Sequence, residues 1–403
     1  MTDLFWPGDE RAGDLLSDAA LLAAMVEVEA AWLDALVAAG IAPAEAKADL
    51  PGLVGAADVQ GIAAAAEAGG NPVIPLVALL RERLGADTEA ARWLHRGLTS
   101  QDVVDTALVL GIRAAARAVR GDLDRQIESL VALVSQHRDT PMVARTLTQH
   151  AVPTTFGLKV AQWLAGVLDA ADAVTGLRFP AQVGGAAGTM AAATELAGAE
   201  AARRLATATA ERLGLADAPP WHTTRTTITR AGDAAVTATD AWGRIANDVL
   251  TLGRPEIGEL SEGTGGGSST MPHKANPVLS TLVRRAALTT PQLAATLHLA
   301  AAGSVDERAD GAWHAEWATL RTLLRRTCAA GSQTTDLLAG LRVHPDRMRA
   351  TLDAARDDVL AEQRSMAALT GADAHPDPDY LGAAGPLVDA VLDRARAHLE
   401  ETP

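Results

Sequence analysis

QDVVDTALVLGIRAAARAVRGDLDRQIESLVALVSQH, residues 101–137, carries Ile112, Ala116, Val119, Leu123, Ile127, Leu130 and Val134 at intervals of three or four. That spacing lays them along one stripe of an α-helix. Arg113, Arg117, Arg120, Asp124, Arg125 and Glu128 fall on the other faces. One helix over 101–137 is roughly 50 Å long at ~1.5 Å per residue, a length that belongs in an elongated bundle. Similar patterns run over 155–176, 190–213, 225–251, 275–302 and 312–340, with Gly/Pro clusters at 180–188, 219–220 and 263–267 between some of them. The first 95 residues read as shorter helices broken at Gly40, Pro43, Pro51, Gly69, Gly70, Pro72 and Pro75. The expected organisation is an N-terminal helical domain (1–95), a central long-helix bundle (96–342) and a short C-terminal helical domain (343–403) ending in a helix near 384–399.

Composition agrees with an all-α fold. Of 403 residues, 48% are hydrophobic but only 3% aromatic, and Ala and Leu supply most of the apolar side chains. These are strong helix formers, whereas strands favour β-branched and aromatic residues. The charge balance, 35 basic against 50 acidic residues, leaves −15 and excludes a basic face for nucleic acid. It also argues against a membrane-surface role. The uncharged run 286–305 is interrupted by Thr289, Thr290, Pro291, Gln292, Thr296 and His298, so a buried helix is expected there and not a membrane span. The one cysteine, Cys328, cannot close an intramolecular disulfide. The start, MTDLFWPGDERAGD, lacks the basic and then apolar character of a signal peptide. A cytoplasmic protein is the expectation.

Three polar clusters interrupt the Ala/Leu background. In HRGLTSQDVVD (95–105), Thr99 or Ser100 followed by Gln101 and Asp102 is an ordinary helix-entry signature. In ARTLTQHAVPTTFGLK (144–159), Pro153 is placed to start a helix with Thr154 and Thr155 in its first turn, and an isolated His150 is most often structural. EGTGGGSSTMPHKANPV (262–278) is more informative. Four glycines within five residues make a loop that is costly to order, and Ser268, Ser269, Lys274 and Asn276 follow directly. A loop closing on an anionic substrate accounts for both features. The glycine spacing does not fit the phosphate-binding G-x-x-x-x-G-K-[ST] pattern, and no strand precedes it.

Gly267, Ser268, Ser269, Met271, Pro272, Lys274, Asn276 and Pro277 resemble the GSSxMPxKxNP signature of the fumarase/aspartase superfamily. His95, Gly97, Thr99, Ser100 and Asp102 are similar to its first shared region. Arg145, Thr146, Gln149, Ala151, Pro153, Phe156 and Gly157 are similar to its second. The resemblance covers nearly the whole chain. It implies a three-domain all-helical subunit, a homotetramer built around a helical core, and sites assembled from three subunits. Within the superfamily, TSQDVVDTALVL, TQHAVPTTFGLK, VGGAAGT, PWHTTR, GAWHAEW and DYLGAAGPLVDAVL look like the 3-carboxy-cis,cis-muconate cycloisomerases. The implied reaction closes a tricarboxylate diene to 4-carboxymuconolactone in the β-ketoadipate route of aromatic catabolism. A carboxylate adds across a C=C bond and a proton reaches the carbon α to another carboxylate.

Many superfamily members carry histidine two residues after the arginine of the second region; here that residue is Leu147. In the lactonisation couple the group that leaves is a carboxylate, whose conjugate acid has a pKa of about 4, and it departs as an anion without a general acid. Leu147 therefore counts against lyases that expel hydroxide or an amine, such as the adenylosuccinate type. It fits a lyase expelling another stable anion, such as nitrite from nitrosuccinate. By resemblance Ser268 is the proton-transfer residue, with Lys274 and Asn276 stabilising the aci-carboxylate intermediate. His150 is a candidate for orienting substrate or moving a proton. Thr99, Ser100, Gln101, Thr148, Gln149 and Thr189 are candidate donors to substrate carboxylates, and His222 and Arg225 candidate binders of the extra carboxylate. His95, Ser269, Met271 and Arg284 complete the candidate substrate-binding set. Glu307, Arg308 and His314 are weaker candidates, since helix-surface charges usually form solvated pairs. The expected partner is a small polycarboxylate, with no cofactor and no metal, because the ten histidines show no H-E-x-x-H spacing. A catalytically silent structural homologue is the remaining alternative, and the intact Ser268, Lys274 and Asn276 set opposes it.

Overall fold

The computed structural model describes residues 3–401 except 264, 268, 269, 272 and 371–379. Helix accounts for 68% of the described residues, so the fold is all-α. The first helices are α1 (Asp18–Ala38), α2 (Val59–Gly69), α3 (Val73–Leu84) and α4 (Glu89–Trp93). The long α5 (Ser100–Gln136) follows, then a hairpin of β1 (Pro141–Thr146) and β2 (Gln149–Thr155), then α6 (Phe156–Thr175). Next come α7 (Ala191–Ala197), α8 (Ala199–Arg212), α9 (Thr226–Leu252), β3 (Leu260–Ser261), α10 (Val278–Ala302) and α11 (Ala312–Gly340). The chain continues through β4 (Arg342–Val343), α12 (Pro345–Ala354), α13 (Arg356–Val359), α14 (Ala361–Thr370) and α15 (Ala384–Glu401).

Helix α5 matches the span read from its apolar stripe to within one residue at either end. Ile112, Val119, Leu123, Ile127, Leu130 and Val134 are buried, whereas Ala116 is half-buried and its neighbour Ala115 takes the core position. Residues 101–110 are buried on every side, including Gln101, Asp102, Asp105 and Thr106. Burial of that polar set demands internal partners.

Two expectations are corrected. The helix expected over 190–213 is two, because Gly198 between α7 and α8 has φ 78°, a left-handed value that cannot sit inside an α-helix. Pro153 does not start a helix. It pairs with Val143 in the β1–β2 hairpin, and α6 begins at Phe156, with Thr155 Oγ1 accepting the Leu158 N–H at 3.0 Å. Proline is tolerated here because a two-stranded hairpin consists of edges.

The chain divides into two compact units. One comprises residues 1–118, 176–233 and 291–326, the other 119–175, 234–290 and 327–403. The first has Trp32, Leu33, Leu36, Leu50, Leu76, Leu80 and Leu94 at its centre, all essentially inaccessible. The second centres on Phe156, Trp163, Trp242 and Ile127. There the Trp242 indole N–H donates to Gln126 Oε1 at 2.7 Å, and Gln126 Nε2 donates to the Gly331 carbonyl at 3.0 Å. Among the described residues no helix is long and apolar enough to cross a membrane.

Candidate active site

In the first unit a buried polar network surrounds the start of α5. Asp102, fully inaccessible, accepts from the N–H groups of Thr99, Gly184 and Gly185 at 2.9, 2.8 and 2.9 Å and from Gln182 Nε2 at 3.2 Å. Burial raises its carboxyl pKa to about 6 against the pull of those donors. Gln182 Oε1 accepts the Trp221 N–H at 2.7 Å. His222 lies with Nε2 2.9 Å from the Gly185 carbonyl and Nδ1 3.1 Å from Gln182 Nε2. Both ring nitrogens are used in the neutral tautomer, and burial holds its pKa below the ordinary histidine value.

Arg225, 3% exposed, lies between Asp105 and Glu316. Its Nη1 and Nη2 donate to Asp105 at 2.7 and 3.0 Å, and Nη2 and Nε donate to Glu316 at 2.6 and 3.1 Å. Burial opposes its charge, but the two carboxylates outweigh burial and hold its pKa above the ordinary value. Burial pushes Glu316 up. Asp105 also accepts from the Trp313 indole at 2.9 Å and from Gln101 Nε2 at 3.1 Å.

Three of the expected ligands are engaged within the subunit. Arg225 and His222 are bonded to internal partners. Gln101, 1% exposed, gives both amide hydrogens to Asp105 and the His222 carbonyl, the latter at 2.9 Å, and has none for a ligand. The other candidates of this unit are more accessible. Thr99 and Ser100 are half-buried and Thr189 is exposed, while the Arg308 guanidinium donates to the Thr99 hydroxyl. His95, in a left-handed conformation (φ 63°), sets Nδ1 2.6 Å from Glu29 Oε1, and Glu29 is fully buried on α1. Glu307 and His314 are exposed.

In the second unit the hairpin turns at Leu147 and Thr148, both at positive φ (48° and 70°), between the paired Thr146 and Gln149. Two consecutive left-handed residues define the tight two-residue turn that matches strand twist. Neither Leu nor Thr favours that region, so the tip is strained. It presents Thr148, Gln149 and His150, all exposed, beside Leu147 at 95% exposure. A fork from Arg145 to the fully buried Glu259, at 2.7 and 3.0 Å, braces the hairpin below its tip.

The glycine-rich loop is tied at its ends. Gly266 and Asn276 exchange backbone N–H···O bonds of 2.8 Å, and Asn276 Nδ2 donates to the Gly267 carbonyl at 3.2 Å. The Glu262 carboxylate accepts the N–H groups of Leu279 and Ser280 at 3.2 and 2.7 Å, closing the first turn of α10. Gly263 packs so closely on Gly340 that a Cβ would lie 2.2 Å from its carbonyl oxygen. Met271, Lys274 and, on α10, Arg284 are exposed, and Asn276 is half-buried. Ser268 and Ser269 lie outside the described residues. No group of three or more His, Cys, Asp or Glu among the described residues is placed to hold a metal.

Reading the sequence missed Gln182, Glu316, Glu29, Glu259 and Glu262 and saw in Asp102 only a helix-entry residue. Asp102 does fill that role through the Thr99 N–H, but its other oxygen reaches a turn about 80 residues away in the chain. No local pattern encodes such a contact.

The profile of a lyase family matches residues 18–290. The chain belongs to that family, within the fumarase/aspartase superfamily, and is an enzyme of it. It is 46% identical over 363 residues to a nitrosuccinate lyase of Streptomyces davaonensis, covering 86% of this chain and 76% of that protein. It is 42% identical over 366 residues to a 3-carboxy-cis,cis-muconate cycloisomerase of Bradyrhizobium diazoefficiens, covering 86% and 80%. The crystal structure of the 3-carboxy-cis,cis-muconate lactonizing enzyme of Pseudomonas putida superposes with a TM-score of 0.86 at 31% identity, covering 96% of this chain and 97% of that one.

Proposed function

We propose that the protein interconverts an unsaturated polycarboxylate and its adduct, with the β-substituent arriving or leaving as a stable anion and no general acid assisting it. The observation that carries this reading is Leu147. The hairpin tip offers an exposed alkyl group where superfamily members that expel hydroxide or amines carry histidine. The substrate we assign is 3-carboxy-cis,cis-muconate, closing to 4-carboxymuconolactone. One carboxylate oxygen adds to the double bond, the electron pair moves to the carbon α to another carboxylate, and the Ser268 hydroxyl proton is delivered there. Lys274 and Asn276 stabilise the dianionic aci-carboxylate that precedes protonation. Solvent returns the proton to Ser268. Thr148, Gln149 and His150 at the tip, with Thr99, Ser100 and Thr189, hold the carboxylates, and three subunits of a homotetramer build each site. The 42% identical cycloisomerase and the superposition on the lactonizing enzyme support this substrate.

A second reading has its own support: loss of nitrite from nitrosuccinate. It is favoured by the 46% identical relative and by the internal pairing of Arg225, which leaves PWHTTR without a cation for a third carboxylate. Supplying each compound separately distinguishes the two. Loss of diene absorbance with 3-carboxy-cis,cis-muconate is the expected result. Release of nitrite with an inert diene reverses the order, and inertness toward both removes the anion-leaving reading. Changing Leu147 to His should leave the rate on the true substrate within about threefold, since a stable anion needs no proton to depart.

A further inference from the structure

Two segments that carry candidate carboxylate ligands meet at one buried side chain. Asp102 Oδ2 accepts the Thr99 N–H, just before α5, and the Gly185 N–H, each at 2.9 Å. Its Oδ1 accepts the Gly184 N–H at 2.8 Å and Gln182 Nε2 at 3.2 Å. The turn beginning at Gly184 closes on itself, since the Met190 N–H donates to the Gly184 carbonyl at 2.8 Å, and Thr189 sits within it. The fit is tight: a Cβ on Gly184 would lie 2.3 Å from His222 Cε1. His222 Nε2 secures the same turn through the Gly185 carbonyl at 2.9 Å.

We propose that Asp102 is a positioning residue that locks the Thr99–Ser100 and Gly184–Thr189 segments into one carboxylate-binding subsite, and that proton uptake at Asp102 unlocks it. The inference rests on the function proposed above, which assigns Thr99, Ser100 and Thr189 to substrate carboxylates. An ionised carboxylate offers about four acceptor positions, and four donors occupy them. A proton on either oxygen puts a donor where an N–H already points, and a bond must open. Burial lifts Asp102 to about 6, so this happens in mild acid. The charged or titratable groups facing it are His222, 3.9 Å away, Arg308 at the Thr99 hydroxyl, and the Arg225, Asp105 and Glu316 set reached through Gln101. Burial disfavours the charged form of His222, and the Arg225 set is closed on itself.

A subsite that grips carboxylates equally before and during reaction shows itself in KM and Kd, not in kcat. Fumarate is a suitable probe because its carboxylates titrate below this range. Calorimetric titration of the full-length protein between about pH 5 and about pH 8 should show fumarate affinity falling as the pH drops through about 6, toward a total loss of about tenfold. Asp102→Asn should bind fumarate about tenfold more weakly with no acid limb, and should raise KM by the same factor with kcat within about threefold. Amide hydrogen exchange on the wild type needs neither a variant nor turnover: protection at Thr99, Gly184 and Gly185 should fall over the same interval. Flat fumarate affinity and flat protection, an acid limb retained in Asp102→Asn, or a loss confined to kcat each overturns the proposal. Were neither candidate substrate converted, the proposed reaction would fail, while fumarate affinity and exchange would still decide the lock.

Discussion

The two polar regions of the molecule are drawn from the same residue types and differ in what those residues face. Around the start of α5, Asp102, Asp105, Gln182, His222, Arg225 and Glu316 are all buried and bonded to one another. At the hairpin tip and glycine loop, Thr148, Gln149, His150 and Lys274 are exposed, and Lys274 makes no ion pair with a described residue. In an Ala- and Leu-rich chain a polar cluster is therefore either internal glue or a reagent. Satisfaction of its donors distinguishes the two, because a buried guanidinium bonded to two carboxylates has no hydrogen left for a substrate.

The sharpest way to break this contrast is at its reactive end. Ser268→Ala should lower turnover about a thousandfold, the middle of the range for a positioned proton-transfer group. Unfolding free energy and sedimentation should stay unchanged. Near-normal rates would return Ser268 to the structural category.

Arg225 should behave in the opposite way. Arg225→Met strands Asp105 and Glu316 as buried carboxylates and should destabilise the fold by about 4 kcal/mol, measured by denaturant unfolding. A variant of normal stability with a raised KM would show that the guanidinium serves the substrate after all.

Asp102 links the two behaviours through pH. Its folded pKa, about 6, lies above the ordinary carboxyl value of 3.8, so folding favours its protonated form. The stability it contributes is complete below the unfolded value and disappears as the pH rises through the folded one. Wild-type stability relative to Asp102→Asn should therefore fall by about 3 kcal/mol between about pH 4 and about pH 6. A constant difference would show that Asp102 titrates normally. On these terms the fold is easier to build with Asp102 protonated, while the subsite it organises needs it ionised.

Most of the fold was legible in the sequence because long helices announce themselves by periodicity. The helix expected over 101–137 is α5, and those expected over 225–251 and 312–340 are α9 and α11 to within a residue. The failures are local conformation overriding pattern. Gly198 breaks a helix that apolar spacing carries through, and the β1–β2 hairpin has neither Gly nor Asn at its turn to signal it. For the candidate site, the sequence marks residues that share a linear motif and gives no sign of those joined across the chain. Arg145 pairs with Glu259 at a separation of 114 residues and Arg225 with Asp105 at 120. A residue type in a motif reports chemistry, but only the fold reports whether that chemistry is already used.

The smallest effect tests the hairpin tip. Leu147 holds φ 48° with its side chain 95% exposed in the single subunit, so its conformation is paid for elsewhere and its burial contributes almost nothing. A left-handed conformation costs an ordinary residue about 1–2 kcal/mol, and glycine there relieves that strain but gives back about 0.5–1 kcal/mol in unfolded-state entropy. Leu147→Gly should therefore stabilise the protein by about 0.5 kcal/mol, seen as a small rise in denaturant midpoint with the slope unchanged. Destabilisation by more than about 1 kcal/mol, or a shift in sedimentation, would mean that the leucine is covered by another subunit. The tip would then belong to an interface, as expected of a site assembled from several chains, and its exposure in one subunit would mark a contact surface instead of a strained, solvent-facing turn.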